Sequence, residues 1–140
     1  MSYRLSKRSL SKLVGVHPVL AFAVMEAIKD TKVDFGVTEG IRTIQRQREL
    51  VELGYSKTMN SYHLYGLAVD LVPWIDGNFR WDNKKAFKEI ETAMNRVISK
   101  YNLPIQNGFR LWGWDRPHWQ MSGYRGKYDI RKLKTKGLIC

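Results

Sequence analysis

The sequence predicts one small α+β domain: a mostly antiparallel sheet of short strands flanked by helices. Three observations carry that prediction. The 140 residues leave room for one compact domain. No internal repeat, low-complexity tract or Ser/Gly linker divides them. Helical stripes also alternate with short strands joined by tight turns, the order expected of an α+β chain.

Each element follows from its residues. His17–Lys29 reads as a helix, with Pro18 in its first turn and Val19, Phe22, Ala23, Glu26 and Ala27 at helical spacing. His17, before that proline, reads as structural. Asp34–Thr38 is a short apolar strand, and Thr43–Leu53 a second helix stopped by Gly54. Tyr55–Tyr62 is polar and loop-like. Leu67–Val72 is a strand ended by Pro73, and Asp76-Gly77 marks a hairpin between Trp74-Ile75 and Phe79–Trp81. Asn83–Tyr101 is the longest helix, capped by Asp82 or Asn83, with Phe87, Ile90, Met94, Val97, Ile98 and Tyr101 on one stripe. Phe109–Trp112 and His118–Met121 are read as short strands flanking a turn at Asp115–Pro117.

Composition removes several classes. At 44% hydrophobic, 26% charged and 12% aromatic, the chain is neither disordered nor collagen-like. The longest apolar run, Val19–Met25, has seven residues, against the roughly 20 a spanning helix needs. Met1–Leu10 is basic and polar and does not read as a secretory signal, so the expectation is a protein that starts in the cytoplasm. The single cysteine, Cys140, allows no internal disulfide.

The net charge of +11 sits at the ends: residues 1–13 carry +4, residues 121–140 carry +5, and everything between carries +2. Such ends attract polyanions, whether nucleic acid, an acidic membrane or an anionic cell wall, and they equally serve as a solvated surface. The expected organisation is a motif-bearing core of about residues 14–121 with basic N- and C-terminal extensions.

The chemistry gathers around two histidines. His63 lies in Ser61-Tyr62-His63-Leu64-Tyr65-Gly66-Leu67-Ala68-Val69-Asp70, and His118 in Asp115-Arg116-Pro117-His118. A catalytic zinc takes three protein ligands and leaves a fourth position open, and His63, Asp70 and His118 supply such a set. A separation of seven would set His63 and Asp70 on opposite faces of an unbroken strand, and Gly66 offers the break that lets them converge. Asp70 lies among Leu67, Ala68, Val69, Leu71 and Val72, where an unpaired carboxylate is costly and a metal would relieve the cost. The bland alternative is an Asp at a strand edge with two unrelated histidines. Asp115, three residues before His118, could reach the metal's water as a general base, or simply make a turn. Arg42, after the Glu39-Gly40 turn, could hold a carboxylate or a developing oxyanion, or could merely be solvated.

Together these residues resemble a known signature. The run Ser61-x-His63-x-x-Gly66-x-Ala68-x-Asp70 with Asp115-x-x-His118 resembles that of the VanY-like zinc peptidases of peptidoglycan. Glu39-Gly40-Ile41-Arg42-Thr43, Gln47 and the Asp76-Gly77 turn fit the same pattern, so the resemblance spans about residues 35–120. It implies one zinc ion held by His63, Asp70 and His118 in a cleft, Asp115 as base, Arg42 as a substrate- or transition-state-binding group and Ser61 as a substrate-positioning group. Asp rather than Glu at the base position resembles the phage L-alanyl-D-glutamate endopeptidases more than the carboxypeptidases. A phage endolysin is thus the expected function. It would act on peptidoglycan stem peptides as a monomer, accumulate in the host cytoplasm, and reach the periplasm and wall through a holin. The basic ends would touch an anionic wall or membrane. A D,D-carboxypeptidase of the same family and a non-catalytic zinc module are the alternatives. Trp74, Trp81, Trp112, Trp114 and Trp119 are read as core and cleft walls rather than as a nucleic-acid surface.

Overall fold

The computed structural model describes residues 2–56, 58–59 and 61–123. Five helices surround a five-stranded antiparallel sheet: α1 (Lys7–Lys12), α2 (Pro18–Ala27), β1 (Phe35–Glu39), α3 (Ile44–Glu52), β2 (Ala68–Ile75), β3 (Asn78–Phe79), α4 (Lys84–Tyr101), β4 (Ile105–Asn107), α5 (Gly108–Trp112) and β5 (His118–Met121). Strand order is β1-β2-β5-β4, with β3 paired to the far end of β2. The α+β prediction is borne out.

The core forms where α2 and α4 pack on each other and α4 packs on β2. Leu20, Val24, Met94, Leu71 and Val72 are fully buried in it. Each such side chain contributes about 1.5–3 kcal/mol on leaving water. In the α4 stripe Phe87, Ile90, Met94 and Val97 are buried, while Tyr101 stays exposed, its ring edge-on to Phe22. Asn83 caps α4 through Ala86 N–H, and His17 Nδ1 caps α2 by accepting from Val19 N–H, so His17 is structural as expected.

The hairpin is also as expected, with positive φ at both Asp76 (52°) and Gly77 (78°), the demand of a type I′ turn. Strand β2, however, continues through Pro73 to Ile75. Pro73 stands opposite Arg80, just past β3: its carbonyl accepts from Arg80 N–H at 2.9 Å, and the proline forgoes only the return bond at the end of that two-residue ladder. The stretch Phe109–Trp112 is helical, not a strand. Asn107 caps α5 by accepting from Phe109 N–H, and Gly113 closes it at φ 78°.

The N-terminal segment set apart as a basic extension is part of the domain up to its first helix. Helix α1 packs on β1, buried Ser9 accepts from Val37 N–H through Oγ, and Tyr3 and Leu5 lie against the core. The basic C-terminal run from residue 124 onward lies outside the described residues. No helix among the described residues is long and apolar enough to cross a membrane.

Candidate active site

Strand register assembles half of the site. Asp70 on β2 stands directly opposite His118 on β5, so two residues 48 positions apart become cross-strand neighbours. His63 arrives from a different direction, on a 3-10 turn (Tyr62–Tyr65) that precedes the strand. Gly66 ends that turn in the left-handed region at φ 70°, and a Cβ there would collide with the Gly15 carbonyl. This is the break that the spacing of His63 and Asp70 requires.

The three side chains converge. His63 Nε2 lies 3.3 Å and His118 Nδ1 3.5 Å from Asp70 Oδ1, and one ligand atom from each residue falls within 4.8 Å of the others. The outward nitrogens are already committed. His63 Nδ1–H donates to the Gly40 carbonyl at 2.9 Å, and His118 Nε2–H donates to Gln120 Oε1 at 2.9 Å. Each bond fixes the tautomer that leaves the inward nitrogen with a free lone pair, which is how protein ligands are oriented toward a metal. Two buried imidazoles and a partly buried carboxylate, held this way, fit a divalent metal ion with an open position.

In the metal-free protein the same inward nitrogens, when protonated, pair with Asp70 instead. Burial pushes the Asp70 carboxyl up, but the His63 charge and hydrogen bonds from His118 and His63 overcome it and hold Asp70 well below the usual carboxylate range. Burial pulls His118 down, and bonding and attraction to Asp70 outweigh it, so its pKa is raised. Asp115 moves the other way from Asp70. Burial raises its carboxyl, the His118 charge opposes this, and the negative charge of Asp70 adds to it. Asp115 adopts φ 63° in the tight turn before His118, whose N–H donates to the Asp115 carbonyl at 3.2 Å. Gly108 lets this turn approach: a Cβ there would press on Asp115 and His118.

A cleft of about 850 Å³ opens over the triad. Arg42 and Ser61 line it with Asp115, so the structure brings every site residue anticipated in the sequence to one place. Arg42 is not a loosely solvated loop residue. Its side chain is 8% exposed, with Nη1 donating to Gln47 Oε1 at 2.8 Å, Nη2 3.7 Å from Asp70 Oδ2 and Nε 3.7 Å from Glu39 Oε1. Ser61 Oγ accepts from His63 N–H at 3.2 Å, capping the turn that carries His63.

Three supporting residues escaped the sequence reading in their roles. Gln47 is fully buried and links Arg42 to the cleft loop through Ser56 Oγ (2.8 Å) and the Thr58 carbonyl (2.6 Å). Gly40 must lack a side chain, because a Cβ would strike the Lys12 carbonyl, and its own carbonyl orients His63. Gln120 orients His118 from two residues along the same strand. An i, i+2 His-Gln pair on one strand face was the available signal for Gln120.

With this geometry in place, comparison with known proteins becomes informative. The sequence model of the phage L-alanyl-D-glutamate peptidase family matches residues 1–131. The chain belongs to this family. It is 27% identical over 138 residues to the L-alanyl-D-glutamate peptidase of Escherichia phage T5, covering 92% of this chain and 95% of that protein. It is 35% identical over 80 residues to the peptidoglycan L-alanyl-D-glutamate endopeptidase CwlK of Bacillus subtilis (strain 168), a match covering 48% of each. Its fold is similar to the crystal structure of the Serratia marcescens L-Ala D-Glu endopeptidase ChiX, with a TM-score of 0.79 and 34% identity over 89% of this chain and 92% of that one. The phage L-alanyl-D-glutamate peptidase family lies within the VanY-like resemblance that the two motifs carry.

Proposed function

We propose that this chain is a zinc-dependent endopeptidase that cleaves the L-alanyl–D-glutamate bond of peptidoglycan stem peptides and serves a phage as its endolysin. The observation that carries the reading is the tautomer-locked His63–Asp70–His118 group at the floor of a cleft that also holds Asp115 and Arg42. His63 Nε2, Asp70 Oδ1 and His118 Nδ1 would hold the ion. When bound, zinc supplies a Lewis acid and lowers the pKa of water toward roughly 7.

The protein's own groups supply the rest. Asp115, its carboxyl raised by burial, is suited to take a proton from the attacking water and return it to the departing D-glutamate amine. Arg42 sets a buried guanidinium beside Asp70, where it can stabilise negative charge developing on the scissile carbonyl oxygen. Arg46, half exposed on the same wall, offers a second cation to the stem peptide's free carboxylates. Ser61 positions the peptide while capping the His63 turn.

In this reading the protein is a monomer that builds up in the host cytoplasm and reaches the wall after a holin opens the membrane. The basic ends hold it near anionic polymer. The test is mass spectrometry of products released from purified peptidoglycan by zinc-loaded protein, with a chelated control. New chelator-sensitive N-termini at D-glutamate are expected. Release of D-alanine alone would move the assignment to a carboxypeptidase.

A further inference from the structure

Besides the arginines, the cleft is lined by three tryptophans. Helix α5 ends at Gly113 in the left-handed conformation, and this reversal sets Trp112 and Trp114 side by side, centroids 6.1 Å apart and 36° between planes. Both line the cleft, yet they remain 44% and 56% exposed. Trp81, 59% exposed, lines the same cleft. Burying indoles of this size is ordinarily worth several kcal/mol, so large exposed rings beside a catalytic floor point to a ligand with an apolar face.

The tryptophan lining reaches the triad, since the Trp112 ring is 5.4 Å from the His118 ring. The arginines and the tryptophans of this lining differ in chemistry. Arg42 and Arg46 suit the carboxylates of the stem peptide, whereas a tilted indole pair offers negative π faces to weakly positive C–H groups, which pyranose rings present on one face. Substrate connectivity gives the same answer. In peptidoglycan the L-alanine amino group is joined through a lactyl group to the muramyl sugar. The sugar therefore lies about two residue lengths, ~7 Å, from the scissile bond. Trp112 stands within that range of the triad, its ring 5.4 Å from that of His118, and Trp114 lies beside it.

We propose that Trp112 and Trp114 form a saccharide subsite that receives the muramyl sugar on the L-alanine side of the scissile bond, so that the preferred substrate is the glycan-linked peptide rather than the free stem peptide. This rests on the endopeptidase reading. Stacking discriminates by about tenfold, the equivalent of about 1.4 kcal/mol.

The test compares kcat/KM of the full-length, metal-loaded protein on a disaccharide-linked tetrapeptide and on the same tetrapeptide N-acetylated without sugar. Wild type should favour the glycan-linked substrate by about tenfold, Trp114→Ala should bring the ratio to about one, and Trp114→Phe should keep most of it. A thermal melt checks that Trp114→Ala is folded. Equal efficiency of wild type on the two substrates, or an unchanged ratio in Trp114→Ala, would overturn the subsite. Cleavage of neither substrate would defeat the endopeptidase reading. The subsite is then judged by NMR titration with the disaccharide alone: saturable shifts of the Trp112 and Trp114 indole N–H signals support it, and their absence overturns it.

Discussion

The floor and the rim of the cleft are built on opposite principles. On the floor, His63 and His118 are buried, Asp70 is partly buried, and each histidine has its outward nitrogen tied to a named acceptor. On the rim, Trp81, Trp112 and Trp114 are half exposed, and the Trp112 ring lies against Trp114 and against His118 at the edge of the floor. A ligand set must be right to within tenths of an ångström before anything binds, so it is over-determined by second contacts. A recognition wall gains from faces left open to a large substrate. Changes to the floor should therefore damage folding and chemistry together, and changes to the rim should damage recognition alone.

The sharpest way to break that contrast is His63→Ala. It should remove metal binding, abolish hydrolysis and lower the melting temperature of the metal-loaded protein to that of the chelated one, because binding energy is also folding energy here. Calorimetry with and without chelator checks it. If chelation moves wild type and variant equally, His63 is not a ligand.

Next in size is Gln120→Leu, which keeps all three ligands and removes only the acceptor that orients His118. Metal affinity should fall by about 10–100-fold, measured by competition with a chromogenic chelator. Gln47→Ala tests the bracing of Arg42. It leaves Arg42 Nη1 without its acceptor and the Ser56–Thr58 loop without its donor, so stability should fall by roughly 1–3 kcal/mol. Hydrolysis should drop while metal content holds. Wild-type kcat/KM in a folded Gln47→Ala protein would show that Arg42 needs no brace.

The smallest effect concerns pH and lies outside the cleft. His17 caps α2 as a neutral acceptor, and burial lowers its pKa below the ordinary value. The folded state therefore binds fewer protons than the unfolded state there. This stabilisation is present above about pH 6.5, and is lost as pH falls through the lowered folded value. His17→Asn, which caps without titrating, should flatten that part of the curve in urea melts taken across pH. An unchanged curve would exclude His17 as its source.

How much of this was legible in the sequence depended on whether the signal was local. The Asp76-Gly77 hairpin, the Asn83 cap and the α4 stripe could be read because each is decided within a few residues. The Phe109–Trp112 helix was misread because aromatic residues favour strands, while the Asn107 cap and Gly113 stop at its ends carried the correct information. Helix α1 and strand β4, six and three residues long, were too short to show a period. In the site, the His63–Asp70–His118 group was legible as a motif, but its assembly was not. Pairing of Asp70 with His118 is a matter of register between distant strands. Gln47 and Gln120 look like ordinary polar residues until burial and hydrogen bonding give them their work.

The central claim is a division of labour: His63, Asp70 and His118 hold the ion, and Asp115 moves the proton. Metal content and hydrolysis of peptidoglycan, measured on the same preparation of Asp115→Ala, test it most directly. The expected result is about one zinc per chain, as in wild type, with hydrolysis reduced by roughly 10²–10⁴-fold. Loss of the metal along with activity would make Asp115 part of the ligand set, and hydrolysis at the wild-type rate would remove it from the chemistry.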